Sequence, residues 1–349
     1  MDRHVKRPET KLKAIGRRLT GIVGVIIIIT VLSGGSGLIY QSVSETKDSQ
    51  QYPLLGQMVD VGGYRLHLNC TGQGSPTVVL ESGLGGPALQ WALVQQKLEK
   101  TTRVCSYDRA GLGWSDVGPL PRTSQQMVNE LHTLLHNAGI EGPYVLVGHS
   151  LGGFNVRLFA HEYPSETAGI VLVASGSEDD NARMPPEYEK IEESNKQTDH
   201  LMIALARFGI LRVAGNMGLL SSYTSLLAKF PPKLQTEFIA QTFYRSQYWA
   251  TSYAELSALN ESRAQVAATG SLGDLPLVVL SGSPDVSRLP PSFPVEQIKR
   301  TFQDLQVELA GLSSRSTHIV CDTCDHYIPM TNPDMVVDAI NQELANVHR

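Results

Sequence analysis

Only four cysteines occur in this chain of 349 residues, too few for disulfides to hold together a domain of that size, so the core must form by burial. Charged side chains are also sparse, 18% against 42% hydrophobic, which excludes a collagen-like, coiled-coil or largely disordered chain. Basic residues are concentrated at one end. Residues 1–18 carry Arg3, Lys6, Arg7, Lys11, Lys13, Arg17 and Arg18 against Asp2 and Glu9, and everything from Leu19 onward sums to −10. An acidic body with no second basic cluster argues against a nucleic-acid partner, because phosphate binding needs a concentrated positive surface. Internal repeats and low-complexity segments are absent as well.

Charge is missing altogether from Leu19 to Ser44, and Gly21–Leu32 is apolar on every side. As a helix, residues 19–40 would rise about 33 Å, enough to cross a hydrocarbon layer of about 30 Å. The pattern predicts a membrane anchor over 19–40, a basic cytoplasmic head over 1–18, and the body on the non-cytoplasmic side. The alternative is a signal peptide cleaved near Ser33-Gly-Gly35 or Gly35-Ser-Gly37, giving a secreted protein. Residues 41–57 are polar and read as a linker.

Beyond the linker, strand-like and helix-like patterns alternate, the signature of an α/β domain. Strands are expected at Arg65–Asn69, Thr77–Glu81, Arg103–Tyr107, Tyr144–Val147, Gly169–Ala174, Leu277–Ser281 and Thr317–Val320. Helical spacing recurs in Met127, Leu131, Leu134, Leu135 and Ala138, and in Val336, Val337, Ile340 and Leu344. Between Ser175 and Gly273 no strand is evident. That stretch reads as a helical cap (175–273) inserted into a core made of 58–174 and 274–349.

The strongest chemical signal is Gly148-His-Ser-Leu-Gly-Gly153, directly after an apolar strand and before an amphipathic stretch. A serine between glycines at such a junction sits on a tight turn that lifts its hydroxyl clear of the sheet, beside the free amides of a helix N-terminus. Ser150 is therefore the candidate nucleophile. A serine nucleophile needs a histidine base and an orienting carboxylate, expected in that chain order with the acid between them. Of His318, His326 and His348, the first lies within a strand and the last beside the C-terminal residue, which leaves His326 in a loop after the last strand. For the acid, Asp285 follows the strand Leu277–Ser281 at its C-terminal end. Asp274 precedes that strand, Asp179 with its neighbours Glu178 and Asp180 is the second choice, and Asp325 is expected to face away. An oxyanion hole would draw on the backbone amides of Leu151 and of Leu84, the latter within Ser82-Gly-Leu-Gly-Gly86. That glycine-rich segment is no phosphate loop, since no Gly-Lys-Ser/Thr follows it and Pro87 interrupts a dinucleotide fingerprint.

On these residues the chain resembles the α/β-hydrolase superfamily over about residues 56–345. Gly148–Gly153 resembles the nucleophile elbow of serine members, Tyr107-Asp-Arg-Ala-Gly-Leu-Gly-Trp-Ser-Asp116 the loop after the fourth strand, and His326 with Pro333-Asp-Met-Val-Val337 the family's ending. The resemblance implies a mostly parallel eight-stranded sheet flanked by helices, with a helical cap after the sixth strand. It also implies a bracing role for the 107–116 loop at the active-site floor. Two departures are Ser82-Gly83, where many members have His-Gly, and Ala174, where some carry an aspartate, which favours Asp285 as the acid. Ser150 disfavours the branches with an aspartate nucleophile.

Cys321-Asp-Thr-Cys324 has no second pair to complete a zinc site, and an exported domain favours disulfides. The family's sheet order makes the strands of Cys70 and Cys105 neighbours, which implies a Cys70–Cys105 bridge. A Cys321–Cys324 bridge would stiffen the loop of His326. The expectation is a carboxylesterase- or lipase-like serine hydrolase without cofactor or metal, acting on a small, hydrophobic acyl substrate to which Phe208, Leu211, Phe230, Phe238, Phe243, Tyr244 and Trp249 of the cap point. Its alternatives are a non-catalytic binding module and cofactor-free lyase or peroxidase chemistry on the same fold.

Overall fold

Runs such as Val145-Leu-Val147 and Ile170-Val-Leu-Val173 are apolar at every position because each strand is covered on both faces. In the computed structural model, which describes residues 34–348 other than 221–224, 285, 287, 288 and 291, successive residues of these strands enter opposite cores. Val79, Leu146, Ile170, Leu172 and Val279 pack with Met127, Leu131, Phe154 and Phe159 on one side. Val78, Val145, Val147, Val171 and Val278 pack with Leu98, Ile298, Leu305 and Ile340 on the other.

The strands are β1 (Gln57–Asp60), β2 (Arg65–Thr71), β3 (Thr77–Glu81), β4 (Val104–Tyr107), β5 (Tyr144–His149), β6 (Thr167–Val173), β7 (Leu277–Ser281) and β8 (Ser316–Val320). They form one eight-stranded sheet in the order β1-β2-β4-β3-β5-β6-β7-β8. β2 is antiparallel to both neighbours, and β3 to β8 are parallel. All seven expected strands are present with small shifts at their ends, and β1 is an eighth that the pattern did not signal. Its four residues bury only Val59, so it carries no apolar run.

Helices α2 (Ala92–Leu98), α11 (Val295–Ala310) and α13 (Pro333–Val347) lie on one face of the sheet, and α3 (Ser124–Asn137) and α4 (Leu151–Glu162) on the other. Between β6 and β7 the chain forms α5 (Asp180–Arg183), α6 (Glu187–Arg207), α7 (Ile210–Asn216), α8 (Pro232–Gln241), α9 (Ser246–Ser257) and α10 (Leu259–Ala267). Here lies the helical insertion expected over 175–273. Between β8 and α13 comes the single turn α12 (Ile328–Thr331). Both bridges form. Cys70 and Cys105 are register partners across β2 and β4, and Cys321 bonds Cys324.

Residues 34–51 form one helix, α1. The segment read as a polar linker is thus helical through residue 51, and its polar side chains have partners on the cap. Gln41 Nε2 donates to the Tyr244 carbonyl, Arg212 pairs with Asp48 at 2.7 Å, and Tyr52 donates to Thr236 at 3.0 Å. Among the described residues no helix is long and apolar enough to cross a membrane. Most of the expected anchor, residues 19–33, lies outside them.

Candidate active site

Ser150 alone joins β5 to α4, with φ 53° and ψ −117°, a conformation that L side chains adopt only under strain. The strain is held by backbone bonds. The Ser150 amide donates to the Val173 carbonyl at 3.2 Å, and the Ser150 carbonyl accepts from Gly153 and Gly176 at 3.0 and 3.2 Å. The flanking glycines are required by close approach. A Cβ on Gly148 would run into the Gly152 carbonyl, and one on Gly152 would lie 2.5 Å from the Glu81 carbonyl oxygen. The half-buried serine therefore stands at the mouth of α4.

His326 sits in the loop between β8 and α12, and its ring centroid lies 5.0 Å from that of His149. His149 ties this loop to the elbow. Its Nε2–H donates to the His326 carbonyl at 2.8 Å, so Nδ1 is the acceptor for Gln90 Nε2 at 2.9 Å. Burial, with the adjacent His326, pushes the His149 pKa down to about 3 and keeps the ring neutral. The same loop is pinned to the end of β7. The Cys321 amide donates to the Ser281 carbonyl and the Ser283 amide to the Cys324 carbonyl, each at 2.8 Å.

The loop Ser82–Gly86 follows β3 and faces the elbow. A Cβ on Gly83 would lie 2.7 Å from His149 Nδ1, so glycine is needed there. Arg109, fully buried, uses all five N–H donors on this region. Its Nη1 donates to Glu81 Oε1 and the Ser82 carbonyl, both at 2.7 Å. Nη2 donates to the Gly83 carbonyl at 2.6 Å and Glu255 Oε2 at 2.9 Å, and Nε donates to Glu255 Oε1 at 2.7 Å. Glu255 of α9 also accepts from the Gly85 amide at 2.8 Å. Tyr107 donates to Glu81, whose carboxyl burial pushes above its ordinary range while Arg109 pulls it down. Among the described residues, neither the Leu84 nor the Leu151 amide is taken up by a backbone carbonyl.

One cavity of about 480 Å³ is lined by Ser150, His326, Leu84 and Leu151 together. Four of the five predicted site residues thus meet around a single space. The fifth, Asp285, lies outside the described residues. Of the competing carboxylates, Asp180 lines the same cavity, and the others are engaged in other bonds or exposed. Glu178 pairs with Arg157 at 2.6 and 2.7 Å, Asp325 accepts from the Tyr327 amide and the Thr331 hydroxyl, and Asp179 and Asp274 are exposed. His318 in β8 is bonded to Ser281 at 2.8 Å, and His348 follows α13.

Of the cap side chains expected around the substrate, Phe238, Phe243 and Trp249 line the cavity, with Leu226, Leu256 and Met330. Leu211 and Phe230 are buried in the packing of the cap, Tyr244 faces Arg212, and Phe208 is exposed. Asp180 and Asp199 also reach the cavity, and burial raises both to about 6. Sequence reasoning missed His149, Gln90 and Glu255. The only available signal for Glu255 was a carboxylate set on one helix with the apolar residues Trp249 and Leu256. Among the described residues no group of three or more His, Cys, Asp or Glu side chains is placed to hold a metal ion.

The family model described as "Alpha/beta hydrolase family" matches residues 78–339. Among curated relatives, an "AB hydrolase superfamily protein" of Gibberella zeae is 25% identical over 290 residues, 76% of this chain and 85% of its own length. A protein of Hormonema carpetanum named "Probable transporter" is 36% identical over 136 residues, 37% of this chain. The match spans only 20% of that protein, and 51% and 50% of two uncharacterized relatives from Bacillus subtilis and Schizosaccharomyces pombe. A thermophilic esterase from Thermogutta terrifontis superposes with a TM-score of 0.60 at 21% identity, over 84% of this chain and 99% of the esterase. At that identity the likeness is one of fold.

Proposed function

The chain belongs to the alpha/beta hydrolase family, and from that premise we propose that it is a serine hydrolase cleaving an ester or related acyl bond. The observation that carries this reading is the single cavity shared by the strained elbow serine, the His326 loop and the Leu84 and Leu151 amides. Ser150 Oγ attacks the acyl carbon while His326 takes its proton. The carbonyl electron pair moves onto oxygen, and the resulting oxyanion is received by the amides of Leu84 and Leu151, where each donor is worth about 3 kcal/mol. Collapse expels the alcohol, which takes the proton from His326. Water repeats the sequence on the acyl-enzyme and releases the acid.

Asp285 holds the imidazole in this reading. In support, Ser283, two positions before it, donates its amide to the carbonyl of Cys324, two positions before His326. The wall of Phe238, Phe243, Trp249 and Leu256 favours a hydrophobic acyl or alcohol group. Membrane anchorage through residues 19–40, with the body on the non-cytoplasmic side, belongs to the same proposal. It is supported by the charge-free run after a basic head and by two disulfides, which persist in oxidising compartments.

A fluorophosphonate probe and p-nitrophenyl esters of increasing chain length test the chemistry. Labelling at Ser150, with hydrolysis lost in Ser150→Ala, is the expected result. An unlabelled wild type would favour a binding module, and a fully active Ser150→Ala protein would point to chemistry that bypasses the serine.

A further inference from the structure

The cap carries an apolar surface that the catalytic reading leaves unused. On α7 and the residues flanking it at either end, Phe208, Ile210, Val213, Met217 and Leu219 are between 40% and 69% exposed, and on α1 so are Leu38, Ile39 and Val43, between 41% and 68%. Tyr40 joins the two sets, since its ring packs at Gly209 and its hydroxyl accepts from Asn216. Charge is absent from residues 34–44, and over 208–220 the one charged side chain is Arg212. It is turned inward onto Asp48 and Tyr244. Exposed Arg207 and Lys47 flank the patch, as suits the anionic surface of a bilayer.

What covers this surface is indicated by the chain that precedes it. Residues 19–33 could span only about 22 Å as a helix, short of a hydrocarbon layer of about 30 Å. The first turns of α1 must be drawn in to complete the crossing, which brings Leu38 and Ile39 to the lipid boundary. The cap has to follow. Gly34 faces the Phe208 ring, and Gly37 is so close to the Phe208 carbonyl that a Cβ there would lie 2.6 Å from its oxygen.

Resting on the anchored reading above, we propose that the α1–α7 face of the cap lies against the lipid bilayer. Behind this face, Ala206 at the end of α6 and Leu211 of α7 pack with Trp249 and Phe243 of the cavity wall. A lipophilic ester dissolved in the membrane is then presented to the cap side of the site.

All four native cysteines are paired, so a single new thiol on the full chain takes an environment-sensitive fluorophore. Met217→Cys is compared with Val307→Cys, an apolar position on α11 that is 59% exposed. Both are reconstituted in phosphatidylcholine–phosphatidylglycerol vesicles with or without nitroxide-bearing lipid. The expected result is blue-shifted emission and loss of intensity to the nitroxide at 217 and not at 307. Water-like, unquenched emission at 217 in a protein that floats with the vesicles overturns docking alone. A blue shift without quenching also overturns it, because residues 1–33 or a second copy then cover the face. Failure to float overturns docking and anchorage together. The functional counterpart is Ile210→Glu with Met217→Glu, whose kcat/KM on a long-chain ester held in vesicles falls about tenfold while a short soluble ester is turned over as before. Equal rates on the vesicle ester would contradict the proposal.

Discussion

Glu255→Gln isolates the link between the cap and the proposed oxyanion loop. Two carboxylate oxygens of Glu255 serve three donors, Arg109 Nε, Arg109 Nη2 and the Gly85 amide, at 2.7, 2.9 and 2.8 Å. Glutamine supplies one oxygen. Placed at Oε2 it keeps Gly85 and Nη2 but turns its amide N–H₂ against Arg109 Nε–H, two donors facing each other in a site without water access. One charge-assisted bond lost in a buried setting costs about 2–3 kcal/mol of folding stability. The catalytic effect has a different origin. Leu84 lies between Gly83, whose carbonyl is held by Arg109, and Gly85, whose amide is held by Glu255. Displacing its amide by about 1 Å should lower kcat about 100-fold with little change in KM, because the donor acts on charge that develops only in the transition state. The control is Glu130→Gln, which weakens another buried carboxylate–guanidinium pair, with Arg122 at 2.5 and 2.7 Å, away from the cavity. Urea unfolding and p-nitrophenyl ester kinetics should show comparable stability losses in both variants and a kcat loss in Glu255→Gln alone. Full kcat in a destabilised Glu255→Gln protein would refute the positioning role.

Replacing Cys70 and Cys105 by serine opens a loop with a sequence separation of 35 and should cost about 4 kcal/mol of stability while leaving kcat intact. Replacing Cys321 and Cys324, separated by 3, should cost only about 2 kcal/mol yet lower kcat, because that bridge carries the His326 loop. Thermal melts beside kinetics separate the two. Gly83→Ala, whose Cβ would meet buried His149 at 2.7 Å and Ser150 at 3.3 Å, should lower kcat about 100-fold in the same ester assay. The neutral ring of His149 gives a pH dependence of known sign. Its folded pKa, about 3, lies below the ordinary 6.5, so its contribution is complete above 6.5 and is lost as pH falls from there towards 3. Compared with His149→Gln, wild type should lose about 2 kcal/mol more between pH 7.5 and pH 5, read from urea midpoints, and parallel losses would show that the folded ring takes up a proton as readily as the unfolded one.

The parts of this molecule that the sequence disclosed are those in which burial has a period. Strands covered on both faces read as unbroken apolar runs, and α3 and α13 as stripes at helical spacing. The order of strand, serine and helix singled out Ser150, and chain position singled out His326, without any knowledge of the space between them. What stayed hidden is polar and long-range. Glu255 lies 146 residues beyond Arg109, and a glutamate within a helix is ordinarily read as part of a solvated face. Its setting among buried Thr251, Ser252 and Leu256 hints at burial but cannot name the partner. His149 was hidden by its own motif, since a residue beside a nucleophile is read as its frame. In the structure it is a neutral strut between Gln90 and the His326 loop. Helix α1 failed to announce itself for a related reason. The residues it turns toward the cap are Gly34, Gly37, Tyr40, Gln41 and Asp48, glycines, one tyrosine and polar groups where an amphipathic helix would show leucines. Its specificity rests on close backbone approach, on side-chain hydrogen bonds of Tyr40 and Gln41 and on one ion pair. Apolar periodicity therefore locates the core, whereas the contacts that orient the cap over the site follow from pairs of residues whose relation exists only once the sheet has brought them together.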